Sequence, residues 1–526
     1  RNHIQKMRFI AIPFFLSLCR ASPSEDEVLK LPGWYEDLPS KWYSGFVNIS
    51  STMGKDMMSH YIFIESEGDP TTDPVIVWSN GGPGASSLFG IMAELGPLLV
   101  NENSLTGVAY ETSGVPTLFY NDYSWTKFGS VLMFDWPPPV GYSYCGGDPA
   151  GDGYSCGSWN DTSAADAEYA ALQGFFDTKF PEYKTNELFL TGESYAGVYI
   201  PMLAQRVLDN QNIYPLNMKG VAVGDACTGS EVLCGDNTGM GPWWSVIFFY
   251  GHGQFSNKLF DSIVDICTIA GLKTGDYPDA ASCTPLLTQM YTEIGGYYDY
   301  NLYDDCIYDD DIRRQRRLNN HHHEFLKNII EKQTSENVQV LPSSSSSLSS
   351  SLSGGAVNDY VCGGGEVQNV WAANPQVMEA LHIPSNAIFF TADNGDGMIY
   401  NLTEKNLMPF YVNVAKNYPD VRVLVYNGDT DPGINSFIAQ NWTVSMGLTE
   451  KEEWRPWTLD GCLRMGGYVT QYDGDFSFLT IRGSGHMVPQ YKPEAAFEFI
   501  GKFIQNDAWQ SYDPSCTTPP SSSSKR

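Results

Sequence analysis

The stretch that most constrains the fold is N-E-L-F-L-T-G-E-S-Y-A-G-V-Y-I-P, residues 186–201. A short apolar run with β character, residues 187–190, leads into a turn of small residues and then into a segment that can begin a helix. A strand–turn–helix unit of this kind can hold a serine on a strained turn, with its hydroxyl raised above a sheet. Ser194 is therefore a candidate nucleophile. The string departs from G-x-S-x-G because Ala196 replaces the second glycine, and alone it is equally typical of an ordinary glycine-rich turn.

Further apolar runs predict an α/β fold with a mostly parallel central sheet and helices on both faces. The expected strands are residues 60–65, 73–78, 130–134, 187–190, 421–426 and 476–481. Helical periodicity is found at residues 163–180 and 493–504. Several of the strands end in loops rich in glycine and polar residues. In a parallel sheet such loops meet at one edge, where active sites are usually built.

Two of the later strand ends carry the groups that a serine nucleophile needs. N-G-D-T-D-P-G after residues 421–426 holds Asp429 and Asp431, and R-G-S-G-H-M-V-P after residues 476–481 holds His486. An imidazole accepts the proton of the serine, and a carboxylate orients the imidazole. The order serine, acid, histidine is that of the α/β-hydrolase triad. Asp431 is favoured because the acid of this fold usually lies where the loop turns away, and Asp429 stays as the alternative.

Composition and the first residues narrow the class of protein. The chain has 526 residues and a formal net charge of −30, which argues against nucleic acid and anionic membrane partners. A basic start at Met7, an apolar run at residues 9–18 and small residues at Ala21 and Ser22 are typical of a secretory signal peptide. We therefore assign residues 1–22 to upstream sequence and a signal peptide. The apolar run is too short to cross a bilayer, and we expect no membrane span.

Cysteine usage agrees with export. One of the eleven cysteines, Cys19, lies in the predicted signal peptide, and the other ten are an even number that favours disulfides. The sequence has no C-x-x-C or H-E-x-x-H pattern, so we predict neither a metal site nor a cofactor. Four N-x-S/T sequons predict glycosylation at Asn48, Asn160, Asn401 and Asn441.

The middle of the chain differs from the rest. Residues 203–362 are rich in cysteine and aromatic residues and are predicted to form an inserted cap between two parts of the core, residues 23–202 and 363–506. Within the cap, residues of about 311–358 carry R-R-Q-R-R, a histidine triplet and a serine run, and are expected to be a disordered linker. Residues 507–526 form a predicted Pro/Ser-rich tail.

Four motifs together resemble the serine carboxypeptidase family. They are W-S-N-G-G-P-G-A-S-S, T-G-E-S-Y-A-G-V-Y-I-P, N-G-D-T-D and G-S-G-H-M-V-P, in this order. L-P-G-W near the start and N-P-Q-V-M-E-A-L-H-I after the linker also match, so the resemblance covers about residues 31–503. It implies an α/β-hydrolase fold with a cap and an enzyme that releases C-terminal amino acids from peptides and proteins through an acyl-enzyme.

The resemblance also implies roles for individual residues. Ser194, Asp431 and His486 would be the triad. The other implied site residues are Gly82 and Tyr195 in the oxyanion hole, and Asn80, Gly81, Glu94 and Glu193 around the terminal carboxylate of the peptide. Two carboxylates facing a third cannot all be ionised, so we expect peptide binding and activity to be best in acid. The implied compartment is the vacuole, the lysosome or the outside of the cell.

Departures from the family pattern leave some points open. Ala85 stands where the family commonly has a cysteine. The residue that looks like the usual disulfide partner of that cysteine is Cys362, which must therefore pair with another cysteine or stay free. Two close pairs, Cys145 with Cys156 and Cys227 with Cys234, are expected to be additional bridges. The basic cluster R-R-Q-R-R, residues 313–317, resembles sites where some family members are cut into two chains. A homodimer is a further expectation. The alternative functions are an acyltransferase on the same scaffold and a catalytically silent binding or protective glycoprotein.

Overall fold

The computed structural model describes residues 23–150, 154–234, 241–304, 306, 359–391 and 398–517. The predicted signal peptide, the predicted linker and the end of the tail lie outside these residues. All statements below concern the described part of the chain.

One large mixed sheet forms the centre of the molecule. The strands in the described residues are β1 (Glu27–Val28), β2 (Trp42–Asn48), β3 (Met57–Ile64), β4 (Val75–Ser79), β5 (Leu98–Leu99), β6 (Phe119–Tyr120), β7 (Ser130–Phe134), β8 (Tyr144–Cys145), β9 (Ser158–Asn160), β10 (Leu188–Glu193), β11 (Met218–Gly224), β12 (Ile399–Asn401), β13 (Arg422–Gly428), β14 (Glu450–Thr458), β15 (Met465–Tyr472) and β16 (Phe476–Ile481). The large sheet has the order β1-β2-β3-β7-β4-β10-β11-β13-β16-β15-β14, with β8 beside β3. Its six middle strands, β7 to β16 in this order, are parallel, and the outer strands are antiparallel.

Helices cover the sheet and connect its strands. They are α1 (Ser50–Met53), α2 (Gly107–Ser113), α3 (Asp161–Gly174), α4 (Ala196–Asp209), α5 (Trp243–Gly251), α6 (Asn257–Cys267), α7 (Ile269–Thr274), α8 (Ala280–Ile294), α9 (Gly364–Ala372), α10 (Pro375–Ala380), α11 (Met408–Asn417), α12 (Ser436–Ser445), α13 (Val488–Tyr491) and α14 (Pro493–Gln505). Two single-turn π-helices, Gly90–Glu94 and Phe175–Lys179, and three short 3₁₀ helices, Glu102–Leu105, Trp125–Lys127 and Pro181–Tyr183, complete the set.

The sheet is buried on both faces, as its apolar strands require. Successive side chains of a strand point to opposite faces, so Val75 and Val77 of β4 join one hydrophobic core and Ile76 and Trp78 join the other. The first core is closed by α3, α4 and α11, and the second by α9, α10 and α14. This three-layer arrangement confirms the predicted α/β fold with a mostly parallel sheet.

A third hydrophobic cluster lies in the predicted cap. It is formed by α5, α6 and α8 with the residues around them, and the disulfide between Cys267 and Cys283 joins α6 to α8. The cap contacts the core through ring packing such as that of Phe248 of α5 on Phe437 of α12. The disulfide stabilises this small helical unit because it lowers the conformational entropy of the unfolded chain.

The structure corrects one boundary of the predicted organisation. Residues 203–362 were assigned to the cap, but α4 extends to Asp209 and β11 lies in the middle of the sheet between β10 and β13. The core therefore continues through Gly224. Strand β11 was missed because K-G-V-A-V-G is made of small residues and lacks the long apolar run of its neighbours. The six expected strands are all present, and two of them, β7 and β16, have the predicted bounds.

Five disulfides link the ten cysteines that follow the predicted signal peptide. They are Cys145–Cys156, Cys227–Cys234, Cys267–Cys283, Cys306–Cys362 and Cys462–Cys516. The two expected close pairs are thus bonded, and Cys362 pairs with Cys306. No helix in the described ranges has both the length and the apolar character needed to cross a membrane.

Candidate active site

Ser194 lies on a strained turn between β10 and α4. Its φ is 62°, in the left-handed region that residues with a side chain rarely adopt. Its N–H donates to the carbonyl of Gly224 at 2.9 Å, which ties the turn to the end of β11. A Cβ on Gly192 would lie 2.6 Å from the carbonyl oxygen of Ser79, so only glycine lets the turn close. Ser194 is partly exposed between buried neighbours, as a nucleophile must be.

His486 and Asp431 form a buried pair. Nδ1 of His486 lies 2.7 Å from Oδ2 of Asp431, and the two side chains are 5% and 0% exposed. The other oxygen of Asp431 accepts from the N–H of Gly433 at 2.8 Å, and the N–H of His486 donates to the carbonyl of Tyr300 at 2.7 Å. Within the described residues Nε2 of His486 has no hydrogen-bond partner. This nitrogen is therefore available to accept a proton.

The second acid of the same loop points elsewhere. Oδ1 of Asp429 accepts from the N–H of Gly483 at 2.7 Å. Of the two acids that sequence left in competition, it is Asp431 that contacts His486.

The loop after β4 lies against the turn that carries Ser194. A Cβ on Gly81 would be 2.3 Å from the backbone nitrogen of Tyr195, so the two backbones are in direct contact. The next residue, Gly82, has a φ of 106° and is partly exposed. The loop that holds Gly82 therefore lies against the turn of Ser194 and Tyr195 through its neighbour Gly81.

Asn80 organises two buried glutamates. Its Oδ1 accepts from the indole N–H of Trp78 at 2.9 Å and from the N–H of Gly90 at 3.0 Å, which fixes the orientation of the amide. Its Nδ2 then donates to Oε1 of Glu94 at 3.0 Å and to Oε1 of Glu193 at 2.9 Å. Both amide hydrogens of Asn80 are therefore engaged in hydrogen bonds. The family resemblance implied that Asn80 contacts the carboxylate of the substrate. In the structure its amide holds the carboxyl groups of Glu94 and Glu193 in place.

Glu94 and Glu193 are a carboxyl pair away from water, 1% and 3% exposed. Burial raises the pKa of Glu94 to about 7, although its hydrogen bond from Asn80 acts in the opposite direction. Burial, followed by the charge of Glu94, raises the pKa of Glu193 well above its ordinary value. No described group donates to Oε2 of either residue. In acid both groups carry protons that they can donate.

The acid–base pair and the turn of Ser194 are joined through Asp225. Gly224 accepts from the N–H of Ser194, and the next residue, Asp225, places a carboxylate oxygen within 4.8 Å of both a ring nitrogen of His486 and an oxygen of Asp431. Sequence reasoning missed Asp225, although K-G-V-A-V-G-D ends in an acid as V-R-V-L-V-Y-N-G-D does. The comparison of these two endings could have found it.

A second missed residue is Asp161 at the start of α3. This buried carboxylate accepts from the hydroxyls of Tyr195 and Tyr400 and from the backbone N–H groups of Thr403 and Glu404. It therefore fixes the side chain of Tyr195, whose backbone borders the space beside Ser194. Its partners are far apart in sequence, so no local pattern marks it.

Three of the four predicted glycosylation sites, Asn48, Asn401 and Asn441, are exposed. Asn160 is only partly exposed, and its Oδ1 accepts from the N–H of Ser163 at 2.9 Å as the N-cap of α3. Glycosylation of all four stays a prediction.

Comparison with known proteins places this geometry in a family. A family model described as serine carboxypeptidase matches residues 32–506. A serine carboxypeptidase of Caenorhabditis elegans, ctsa-4.1, is 32% identical over 95% of this chain and 98% of its own length. The lysosomal protective protein of Mus musculus is 33% identical over 93% of this chain and 95% of its own length.

A solved structure supports the fold. KEX1(delta)p, a prohormone-processing carboxypeptidase from Saccharomyces cerevisiae, superposes with a TM-score of 0.65 at 18% identity and covers 92% of this chain and 96% of its own.

Proposed function

This chain belongs to the serine carboxypeptidase family and is a serine-type carboxypeptidase, and we propose that Ser194, Asp431 and His486 are its catalytic triad. The observation that carries the proposal is the buried Glu94–Asn80–Glu193 cluster, whose Glu193 directly precedes Ser194 in the chain. A cluster of protonated carboxyl groups beside a serine nucleophile suits a substrate with a free terminal carboxylate. An internal peptide bond has no such group.

The chemistry that we propose follows from the orientation of His486. Because Nδ1–H donates to Asp431, Nε2 carries the lone pair and accepts the proton of Ser194 as its oxygen attacks the peptide carbonyl. The N–H groups of Gly82 and Tyr195 donate to the oxyanion that forms. His486 then gives the proton to the departing amine, and the C-terminal amino acid leaves. Water, activated by the same imidazole, releases the peptide from the acyl-enzyme.

Recognition of the C-terminus depends on protons. Glu94 and Glu193 donate hydrogen bonds to the terminal carboxylate when they are protonated, with Asn80 holding them and the N–H of Gly81 as a further donor. When they ionise, they repel the same carboxylate. We therefore propose that the enzyme binds peptides best in acid.

A pair of substrates tests this function. We would compare a blocked dipeptide with its C-terminal amide at acidic and neutral pH, using Ser194→Ala as the inactive control. We expect acid-favoured cleavage of the free acid, little cleavage of the amide, and no cleavage by the variant. Equal cleavage of both substrates would contradict the role of Glu94 and Glu193. Activity that survives in the variant would contradict the triad.

The relatives and the five disulfides are consistent with the secretory pathway. The proposed acid optimum favours a lysosome- or vacuole-like compartment over the outside of the cell. Localisation of the tagged full chain in its own cells tests this, and a purely extracellular distribution would contradict it. Peptide and protein C-termini are the proposed partners, and a homodimer stays a prediction that the mass of the native protein in solution tests.

A further inference from the structure

Asp225 is a buried acid that the proposed mechanism does not use. It follows β11, between β10, which leads to Ser194, and β13, which leads to Asp431. Its side chain is fully buried, and its φ of 41° is in the region where a residue with a side chain is strained. Strain of this kind persists where the surrounding structure over-determines a position, and it is concentrated at functional sites.

The contacts of Asp225 aim its carboxyl group at the acid of the proposed triad. Oδ1 accepts from Nδ2 of Asn427 at 3.2 Å and from the N–H of Gly428 at 3.0 Å, and its own N–H donates to the carbonyl of Tyr426 at 2.8 Å. One of its oxygens, one of Asp431 and a ring nitrogen of His486 lie within 4.8 Å of one another.

The titratable groups around Asp225 are acids except for one. From β10 it faces Glu193, from β13 and its loop it faces Tyr426 and Asp431, and from the loop after β16 it faces His486. No lysine or arginine forms an ion pair with it among the described residues. Two carboxylates buried this close cannot both be ionised without a large cost.

The position of the proton follows from the partners of the two acids. Asp431 lies 2.7 Å from Nδ1 of His486 and accepts from the N–H of Gly433 at 2.8 Å, so both of its oxygens already face donors. Burial, followed by the charges of Asp431 and Glu193, raises the pKa of Asp225 well above its ordinary value, although the N–H of Gly428 acts in the opposite direction. The pair therefore holds one proton in acid, and Asp225 carries it.

We propose that Asp225 is a positioning residue that donates its proton to Asp431 and so keeps the acid pair at a single negative charge while the enzyme works in acid. The proposal rests on the proposed triad. A base that must be neutral in acid needs a carboxylate that orients its ring without stabilising its protonated form too strongly. A hydrogen bond from Asp225 moderates Asp431 in this way.

The consequence is a second pH effect, separate from that of Glu94 and Glu193. As the pH rises, Asp225 loses its proton and the pair gains a second negative charge. Asp225 then repels Asp431 and no longer donates to it, so the carboxylate that orients His486 is held less firmly and kcat falls. Glu94 and Glu193 act on substrate binding and hence on KM, whereas Asp225 acts on kcat.

Asp225→Asn separates the two effects, because an asparagine keeps an oxygen for Gly428 and an N–H for Asp431 but cannot ionise. We would measure kcat against pH, and the rate at which neutral diisopropyl fluorophosphate labels Ser194, which needs no substrate carboxylate. We expect both rates to equal those of the wild type in acid within about twofold and to exceed them about tenfold at neutral pH, since a small displacement of a catalytic group can cost up to about 10²-fold. The rise of KM with pH should persist.

Asp429→Asn is the matched control, since Asp429 is a half-buried acid of the neighbouring loop that bonds to Gly483 and not to His486. Its pH profile of kcat should follow that of the wild type. Identical profiles for Asp225→Asn and the wild type would overturn the inference. A wild-type enzyme whose Ser194 is not labelled would instead overturn the proposed function.

A measurement on the wild type protects the test if Asp225→Asn does not fold. In the wild-type enzyme, the NMR signal of the Nδ1 proton of His486 should shift as the pH rises through the ionisation of Asp225, because its acceptor Asp431 loses a donor and gains a charged neighbour. A signal that keeps its position from acid to neutral pH would overturn the inference.

Discussion

The molecule contains two buried histidine–aspartate pairs with the same geometry and different surroundings. Nδ1 of His60 lies 2.7 Å from Asp135, and Nδ1 of His486 lies 2.7 Å from Asp431. Nε2 of His60 is occupied by a hydroxyl at 3.1 Å, whereas Nε2 of His486 has no partner in the described chain. The shared distance shows that a short histidine–aspartate contact does not by itself make a base. The free nitrogen distinguishes the two pairs.

The serines near the two pairs differ in the same sense. Ser44, which bonds to His60, is fully buried in β2, and its hydroxyl also lies 2.7 Å from the carbonyl of Leu381, to which it donates. Ser194 is partly exposed on a turn with positive φ. A serine with all its hydrogen bonds made and no access to substrate is structural. A serine on a strained, accessible turn can react.

The largest expected effect separates the two serines. Ser194→Ala should lower kcat by about 10⁶-fold, as loss of a serine nucleophile does, whereas Ser44→Ala should leave kcat nearly unchanged. Hydrolysis of a blocked dipeptide in acid measures both. Loss of activity in Ser44→Ala with an intact fold would break the comparison, because it would place Ser44 in the reaction.

The two acids should fail in different ways. Asp431→Asn removes the group that orients the base and should lower kcat by about 10⁴-fold with little change in thermal unfolding. Asp135→Asn should instead destabilise the fold by about 3 kcal/mol, since it breaks a buried pair that also holds Ser86 and the N–H of Tyr142. Paired measurements of kcat and Tm check this.

If Asp135→Asn lowered kcat as strongly as Asp431→Asn at an unchanged Tm, the two pairs would not differ in the way that we describe. Ser86 belongs to the loop that contains Gly82, so we expect a small loss of kcat, below about tenfold.

The proposed carboxylate-binding pair, Glu94 and Glu193, gives a smaller effect on KM that depends on pH. Burial raises the pKa of Glu94 to about 7, so the pair loses protons between acid and neutral pH and begins to repel the substrate. KM for a free-acid dipeptide should rise by about tenfold for each pH unit above this pKa. Glu94→Gln keeps a neutral donor and should flatten this rise. An equally steep rise in the variant would show that Glu94 does not titrate in this range.

The difference between the regions also explains what sequence could predict. Ser194 and His486 each follow an apolar strand and lie in a glycine-flanked turn, so local pattern marked both as candidates. His60 and Asp135 are 75 residues apart and meet only because β3 pairs with β7. Nothing local marks such contacts.

The same reason applies to the fold. Long apolar strands such as β7 and β16 were predicted with their bounds, whereas β11, made of small residues, was missed and placed in the cap. With β11 missed, Asp225 could not be assigned to a strand end. Asp225 was therefore not predicted because its role depends on residues that are distant in sequence and close only in the folded chain.

The smallest effect concerns the stability that Ser44 provides. Ser44→Ala removes a hydroxyl that bonds to both His60 and the carbonyl of Leu381, and leaves two buried polar groups without this partner. We expect the free energy of unfolding to fall by about 1–3 kcal/mol, the usual result when a buried partner is removed. Thermal and denaturant unfolding, with the conservative Ser44→Thr as the matched variant, measure this loss. An unchanged stability would mean that His60 and Asp135 hold β3 against β7 without Ser44, and the comparison would then reduce to the two histidines and their different Nε2 atoms.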